Sequence, residues 1–265
     1  MRYRSPIEKV PSILTSCKNQ FVNSIGRATF QFCVLVQPLV YGFLLGMMYL
    51  ERSDVDFTVY VLFGSGIVTF WSTICFSSAS DIQRERWYGT LENLFVCPAG
   101  FETAVLGKII GNTLWGLISM AISATFVVLV FQRTIVIAHW GLLGLGFLLM
   151  TVSFIAIAFM MAGLFTLSRS ARILMNVLEH PIYILCGIVF PVEILPHGVQ
   201  WFSYLLSPTW AVKVLRLSVT GGSGGDIQTA ILGLLVTTAL YWVAAWRSFR
   251  VIDRKARVEA SLGVY

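Results

Sequence analysis

Crossing a hydrocarbon layer about 30 Å thick takes a helix of about 20 apolar residues, and this chain of 265 residues holds six runs of that kind. They extend from Ala28 to Leu50, Phe57 to Ser80, Thr103 to Phe131, Trp140 to Leu167, Ile173 to Pro191 and Thr229 to Phe249. In hydrocarbon every backbone N–H and C=O must be satisfied within the protein, which favours helices. A transmembrane β-barrel would show alternating segments of about 10 residues, and the continuous apolarity of these runs argues against it. Charged residues make up 12% of the chain and hydrophobic ones 57%, against roughly 25% charged in soluble domains. The expected fold is an all-α integral membrane protein of six transmembrane helices, forming one domain over residues 1–265.

Lys and Arg set orientation, because they resist crossing the bilayer while acidic residues count for little. With both termini in the cytoplasm, only Arg52, Arg133, Lys213 and Arg216 of the 19 basic residues fall outside. The net charge of +6 is then mainly a topology feature, with membrane lipids as partners of the C-terminal basic cluster and no nucleic acid required. The basic start Met1-Arg2-Tyr3-Arg4 stands well before the first apolar run, which is long enough to span, so it reads as retained rather than as part of a cleaved leader. Five scattered cysteines, without a C-x-x-C, read as small buried hydrophobes, with no metal site.

Between the spans the sequence is specific in places. Val10, Ile13, Leu14, Cys17 and Phe21 recur at helical spacing, predicting an amphipathic helix in the cytoplasmic interface within residues 1–27. Pro38, with Gln31 and Gln37 nearby, predicts an interruption of the first helix. Gly42-x-x-x-Gly46 lets two backbones approach, either in a dimer or within the chain. Gly141, Gly144 and Gly146 suggest close packing of the fourth helix on the third. Residues 192–226, flanked and broken by Pro191, Pro196 and Pro208, predict short re-entrant helices in the outer leaflet before the sixth span, with Trp201, Tyr204 and Trp210 at headgroup level. Pro191 and Pro196 are candidate gating positions.

The motifs of ATP binding and hydrolysis are missing. Gly107-Lys108 is followed by Ile109 and lacks the upstream glycine of a phosphate-binding loop, and H-E-x-x-H does not occur. No enzymatic activity is expected of this chain. An ionisable residue inside a span is a functional candidate by default, which singles out Glu179 with His180, just before Pro181, as a station on a pathway or a proton relay.

The segment Asp81 to Gly100, DIQRERWYGTLENLFVCPAG, sets charges, a glycine and a proline between two apolar runs. On a helix over Ile82 to Phe95, Trp87, Leu91, Leu94 and Phe95 form a stripe, with Arg84, Glu85, Arg86 and Glu92 largely off it. Gly89 permits a bend, Thr90 can cap a renewed turn, and Pro98 ends the helix. Such a segment, carried on two membrane helices, suits a groove on a cytoplasmic protein.

Glu85-Arg86-x-x-Gly89-Thr90-Leu91-Glu92-x-Leu94-x-x-x-Pro98 resembles the E-R-x-x-G-T-L-E-x-L…P signature of ABC type-2 export permeases, the membrane subunits of ATP-binding-cassette exporters, in a form similar to their drug and antibiotic branch. The layout of an interfacial N-terminal helix, six spans and broken outer helices is similar as well. The resemblance implies a bacterial cytoplasmic-membrane permease working with a second permease copy or paralogue and two separate ABC ATPase subunits. It implies that ATP and Mg are held by those partners, with no cofactor in this chain. It also implies that residues 81–100 form a coupling helix between helices 2 and 3. There Arg84, Glu85, Arg86, Thr90 and Glu92 would make polar contacts or hold the segment's shape, Trp87, Leu91 and Leu94 would fill the ATPase groove, and Gly89 and Pro98 would set its bends. The cargo expected on this resemblance is an amphipathic small molecule, lipid or peptide, with lipid-linked polysaccharide as the alternative. A transporter of another class, driven by ions through Glu179 and His180, is the main rival.

Overall fold

The computed structural model describes residues 6–53, 56–90, 100–133, 135, 137–167 and 171–259, and every regular element among them is a helix. Four described segments are long and apolar enough to cross a membrane: Phe57–Ile74, Phe101–Phe131, Trp140–Thr166 and Gly224–Ile252. The first predicted span is helical in three pieces, α2 (Ala28–Gln31), a π turn (Phe32–Val36) and α3 (Gln37–Met48), of which Phe32–Met48 counts as a shorter apolar helix. The fifth is α7 (Ala171–Leu185), only 15 residues long.

The interruption expected at Pro38 is the π turn. Proline has no N–H and its ring crowds the carbonyl four residues back. The backbone widens just before it, and the Gln37 N–H bonds to Phe32 O, five residues back.

A second π segment, Phe57–Phe63, leads into α4 (Gly64–Trp87), and Phe57–Ile74 is buried throughout. This is the central helix. Phe70 stacks on Phe154 at 5.3 Å and Trp71 meets the same ring edge-on at 5.4 Å. Around it stand α5 (Phe101–Phe131) and α6 (Trp140–Leu167). Helix α10 (Gly224–Glu259) covers α6 on its other side. At about 1.5 Å per residue the 31 residues of α5 span roughly 46 Å, longer than the hydrocarbon layer. Its first turns therefore project beyond the apolar zone, beside the end of α4 that carries Asp81 to Trp87.

Helix α1 (Pro6–Ile25) packs along those first turns of α5. The approach is close because α5 presents Gly107 and Gly111, where a Cβ would lie 2.7 Å from Ile13 O and 2.8 Å from Cys17 O respectively. Further along, Phe21 stacks on Trp115 at 4.5 Å, and Trp115 donates to Phe21 O at 3.0 Å. The predicted apolar stripe is therefore divided. Ile13, Cys17 and Phe21 turn toward the bundle with the buried polar residues Gln20 and Ser24, while Val10 and Leu14 remain exposed.

Gly42 and Gly46 pack within the chain. A Cβ on Gly42 would sit 3.1 Å from Val127 Cγ2, and one on Gly46 would overlap the Phe131 ring, both on α5. Gly146 likewise serves a different neighbour from the one expected. It faces Val214 and Leu215 of α9 (Ser207–Thr220), while Gly141 and Gly144 border open space.

The broken helices before the last span follow their prolines. Pro191 precedes a 3-10 turn (Val192–Ile194), Pro196 caps α8 (His197–Leu205), and Pro208 stands in the first turn of α9. Proline suits such starts because the first helical N–H groups lack partners in any case. Trp201 is exposed on α8, whereas α9 is buried against α6 and α10. Pro191 and Pro196 thus have a structural role as helix starters.

Candidate functional site

The basic end of the bundle is built around Asp81. Its carboxylate is 5% exposed and accepts from four side chains. Arg27 (2.8 Å) and Arg84 (3.0 Å) donate to Oδ1, and Gln20 (2.5 Å) and Asn112 (3.0 Å) to Oδ2. Gln20 also donates to Asn112 Oδ1 at 2.9 Å. These residues come from α1, from the junction between α1 and α2, from α4 and from α5. A buried carboxylate needs this many charged and neutral donors, since an unpaired charge away from water costs several kcal/mol. One residue thus fixes four chain segments relative to one another.

One turn further along α4, Glu85 forms an ion pair with Lys108 of α5 and accepts from the Thr90 hydroxyl. Partial burial would push its carboxyl up, but Lys108, Thr90 and Arg84 outweigh that and hold it below the usual carboxylate range. Arg86 Nη2 donates to Thr166 O near the end of α6 at 2.7 Å. The basic end of α4 is therefore tied to α1, α5 and α6 at once.

Helix α4 then stops in a specific way. The Gly89 N–H bonds to Arg86 O (3.2 Å) and the Thr90 N–H to Glu85 O (2.9 Å), with Gly89 at φ +65°. This is the paired bonding of a Schellman cap, in which the left-handed residue is glycine because a Cβ is disfavoured there. The spacing E-R-x-x-G-T acquires a physical meaning. Glu85 supplies the carbonyl that closes the cap, Gly89 the turn, and Thr90 both the closing N–H and a hydroxyl for the Glu85 carboxylate.

The predicted coupling residues accordingly fall into groups. Arg84, Glu85, Arg86, Gly89 and Thr90 make bonds within the chain that fix the shape of this end. Thr90 closes the helix before it. Trp87 and Tyr88, 69% and 74% exposed, project from the capped end as a bare aromatic pair. A single helix over Ile82–Phe95 is not what forms, since Asp81 to Trp87 continues α4 without a break. Leu91, Glu92, Leu94 and Pro98 lie outside the described residues. The chain re-enters at Gly100, whose carbonyl accepts from Thr103 Oγ1 at 2.7 Å at the start of α5.

Sequence reading missed Asp81 as the central acceptor, together with Gln20, Asn112 and Lys108. Asp81 carried a usable cue, an acid at the end of an apolar run. Gln20 and Asn112 carried none, standing 61 and 31 residues from it.

Glu179 lies elsewhere. Ser72 donates to its Oε1 at 2.6 Å and Tyr183 at 2.8 Å, while Gln37 donates to Ser72 Oγ at 3.0 Å. These links join α3, α4 and α7. Because Gln37 and Ser72 belong to apolar segments, Glu179 sits at the level of the apolar layer. His180 does not join it. The imidazole is exposed and faces the Tyr183 ring at 6.0 Å.

Comparison with curated proteins gives no match. The family model for the ABC-2 type transporter matches residues 11–219, from α1 through α9, and so covers the Asp81 cluster, the capped end of α4 and the Glu179 cluster. A bundle of apolar helices with that match over most of its length is a multi-pass membrane permease of a class that works with ABC ATPase partners, and the chain belongs to the ABC-2 type transporter family.

Proposed function

We propose that this permease is the membrane half of an exporter. It moves an amphipathic small molecule, lipid or peptide out of the cytoplasm or the inner leaflet, driven by ATP hydrolysis on two separate ABC ATPase subunits that hold the ATP and Mg. Two permease copies, or one and a paralogue, form the pathway, each with six spans and both termini in the cytoplasm of a bacterium. The carrying observation is the basic end of α4. It ends in a Schellman cap, presents Trp87 and Tyr88 to its surroundings, and is bonded to α1, α5 and α6 through Asp81, Glu85 and Arg86.

Rigidity at that end is what a coupling element requires. A push by the ATPase on Trp87, Tyr88 and the following Leu91, Glu92 and Leu94 meets a cap and a set of charge-assisted bonds instead of a soft loop. The displacement therefore passes to α4, α5 and α6 together, as rigid-body switching demands. The aromatic pair supplies the apolar area that anchors protein contacts.

The test is purification of the chain in mild detergent with identification of retained proteins by mass spectrometry. An ABC ATPase should remain with the wild type and be lost from Gly89→Val and Glu92→Ala. Unchanged retention in both variants would remove the segment from this role, and a fully active transporter with no ATPase would favour an ion-driven mechanism.

A further inference from the structure

The carboxylates of Asp81 and Glu179 differ in a way that separates scaffold from site. Both oxygens of Asp81 are occupied, two arginines among their donors, and the residue is 5% exposed. Glu179 receives both of its hydrogen bonds, from Ser72 and Tyr183, on Oε1. Among the described residues no hydrogen bond or ion pair falls on Oε2, and Glu179 is half-buried. The ion pairs of the described residues join Asp81 to Arg27 and Arg84, and Glu85 to Lys108. Among the described residues no basic side chain forms an ion pair with Glu179.

A carboxylate at this depth costs several kcal/mol unless something compensates it. Its donors here are neutral hydroxyls, which orient Oε1 without cancelling the charge. Aromatic rings stand beside it. Tyr41 and Tyr183 meet edge to face at 6.2 Å, one helical turn beyond Gln37 and Glu179 respectively, and His180 flanks Tyr183. An open carboxylate oxygen next to tyrosine rings is the chemistry that receives a cation, by charge and by the ring quadrupole. The apolar surroundings require the rest of that ligand to be greasy.

We infer that Glu179, held by Ser72 and Tyr183, is the binding site for the charged centre of a lipophilic cation, an amine or onium group on an apolar body. This rests on the export reading and names the cargo class within it. Gln37 fixes Ser72, Tyr41 and Tyr183 supply the wall, and Oε2 supplies the counter-charge.

The test uses the full chain in nanodiscs of neutral phosphatidylcholine, without nucleotide. The probes are tetraphenylphosphonium and tetraphenylborate, which have nearly the same shape and opposite charge. Equilibrium dialysis against protein-free nanodiscs should give saturable binding of the phosphonium at least tenfold tighter than of the borate. Glu179→Gln, which keeps an acceptor for Ser72 and Tyr183, should weaken phosphonium binding at least tenfold. A second measurement needs no variant. Labelling of Glu179 in the wild type by dicyclohexylcarbodiimide, followed by mass spectrometry, should be slowed by the phosphonium and not by the borate. Absent saturable binding, equal affinity for the two ions, unchanged binding in Glu179→Gln or unprotected labelling would each overturn the assignment. Failure here with an ABC ATPase still retained on purification would sink the cation site and leave the export reading standing. Gly89→Val should bind the phosphonium normally while losing the ATPase.

Discussion

Replacing Asp81 with asparagine keeps the shape and removes the charge that fixes α1 to the bundle. Arg27 and Arg84 donate to one oxygen of Asp81 and Gln20 and Asn112 to the other. An amide offers one oxygen and one NH2, so one of these donor pairs must face another donor. Turning both Gln20 and Asn112 to accept reverses the bond between them and leaves neutral bonds where charge-assisted ones stood. A hydrogen bond to a charged group is worth about 1.5–3 kcal/mol. The two arginines are 20% and 29% exposed and regain water, which offsets part of their loss. The net cost comes to about 3 kcal/mol, or roughly a hundredfold in a local opening equilibrium. Hydrogen exchange followed by mass spectrometry should show the amides of residues 13–24 exchanging about a hundredfold faster in Asp81→Asn, with those of the middle of α6 unchanged. A change below about threefold in α1 would refute the idea that Asp81 holds this helix.

Three further outcomes follow from the geometry. Gly89→Ala places a Cβ in a left-handed turn with open space around it, so it should cost about 1 kcal/mol from backbone strain alone; Gly89→Asn should cost less, and thermal melting of the two variants compares them. Gly46→Ala drives a Cβ into the Phe131 ring and should lower the melting temperature by about 5 °C for an overpacking cost of 1–3 kcal/mol, with no change in the mass of the purified assembly if the glycine packs only within the chain. The Glu85 carboxyl is held low in the fold, so its ion pair contributes stability above the unfolded value near 4.3 and loses it as pH falls through the depressed folded value; a fluorophore on Tyr88→Cys should report an ordered turn from pH 8 to about 5 and loosening only below about 4.3, and Lys108→Met should move that loosening to higher pH.

Hydropathy made the helical class legible because a membrane helix must be apolar along its own sequence. The E-R-x-x-G-T spacing was legible for a similar reason, since a Schellman cap is local and its residues are neighbours. Local reading failed where two distant segments decide one contact. Gly107-x-x-x-Gly111 is the same pattern as Gly42-x-x-x-Gly46, yet the first seats α1 and the second meets α5. Lys108 drew notice only as the end of a failed phosphate loop and turns out to be the partner of Glu85. The end of the second span was placed at Ser80 because charges begin at Asp81, whereas the helix runs on to Trp87. The carboxylates among them are paired with Arg27, Arg84 and Lys108, which hydropathy cannot report.

The central claim is that the capped end of α4 meets an ATPase, and the most direct measurement is photocrosslinking in intact membranes. A photoreactive residue replaces Trp87 or Tyr88, and the control position is Trp201, 81% exposed on α8. The account predicts capture of an ATP-binding protein of ABC type from Trp87 and Tyr88, in a yield that changes when nucleotide is added, and none from Trp201. Capture of only lipid or of this same chain from both positions, under conditions where transport continues, would contradict it.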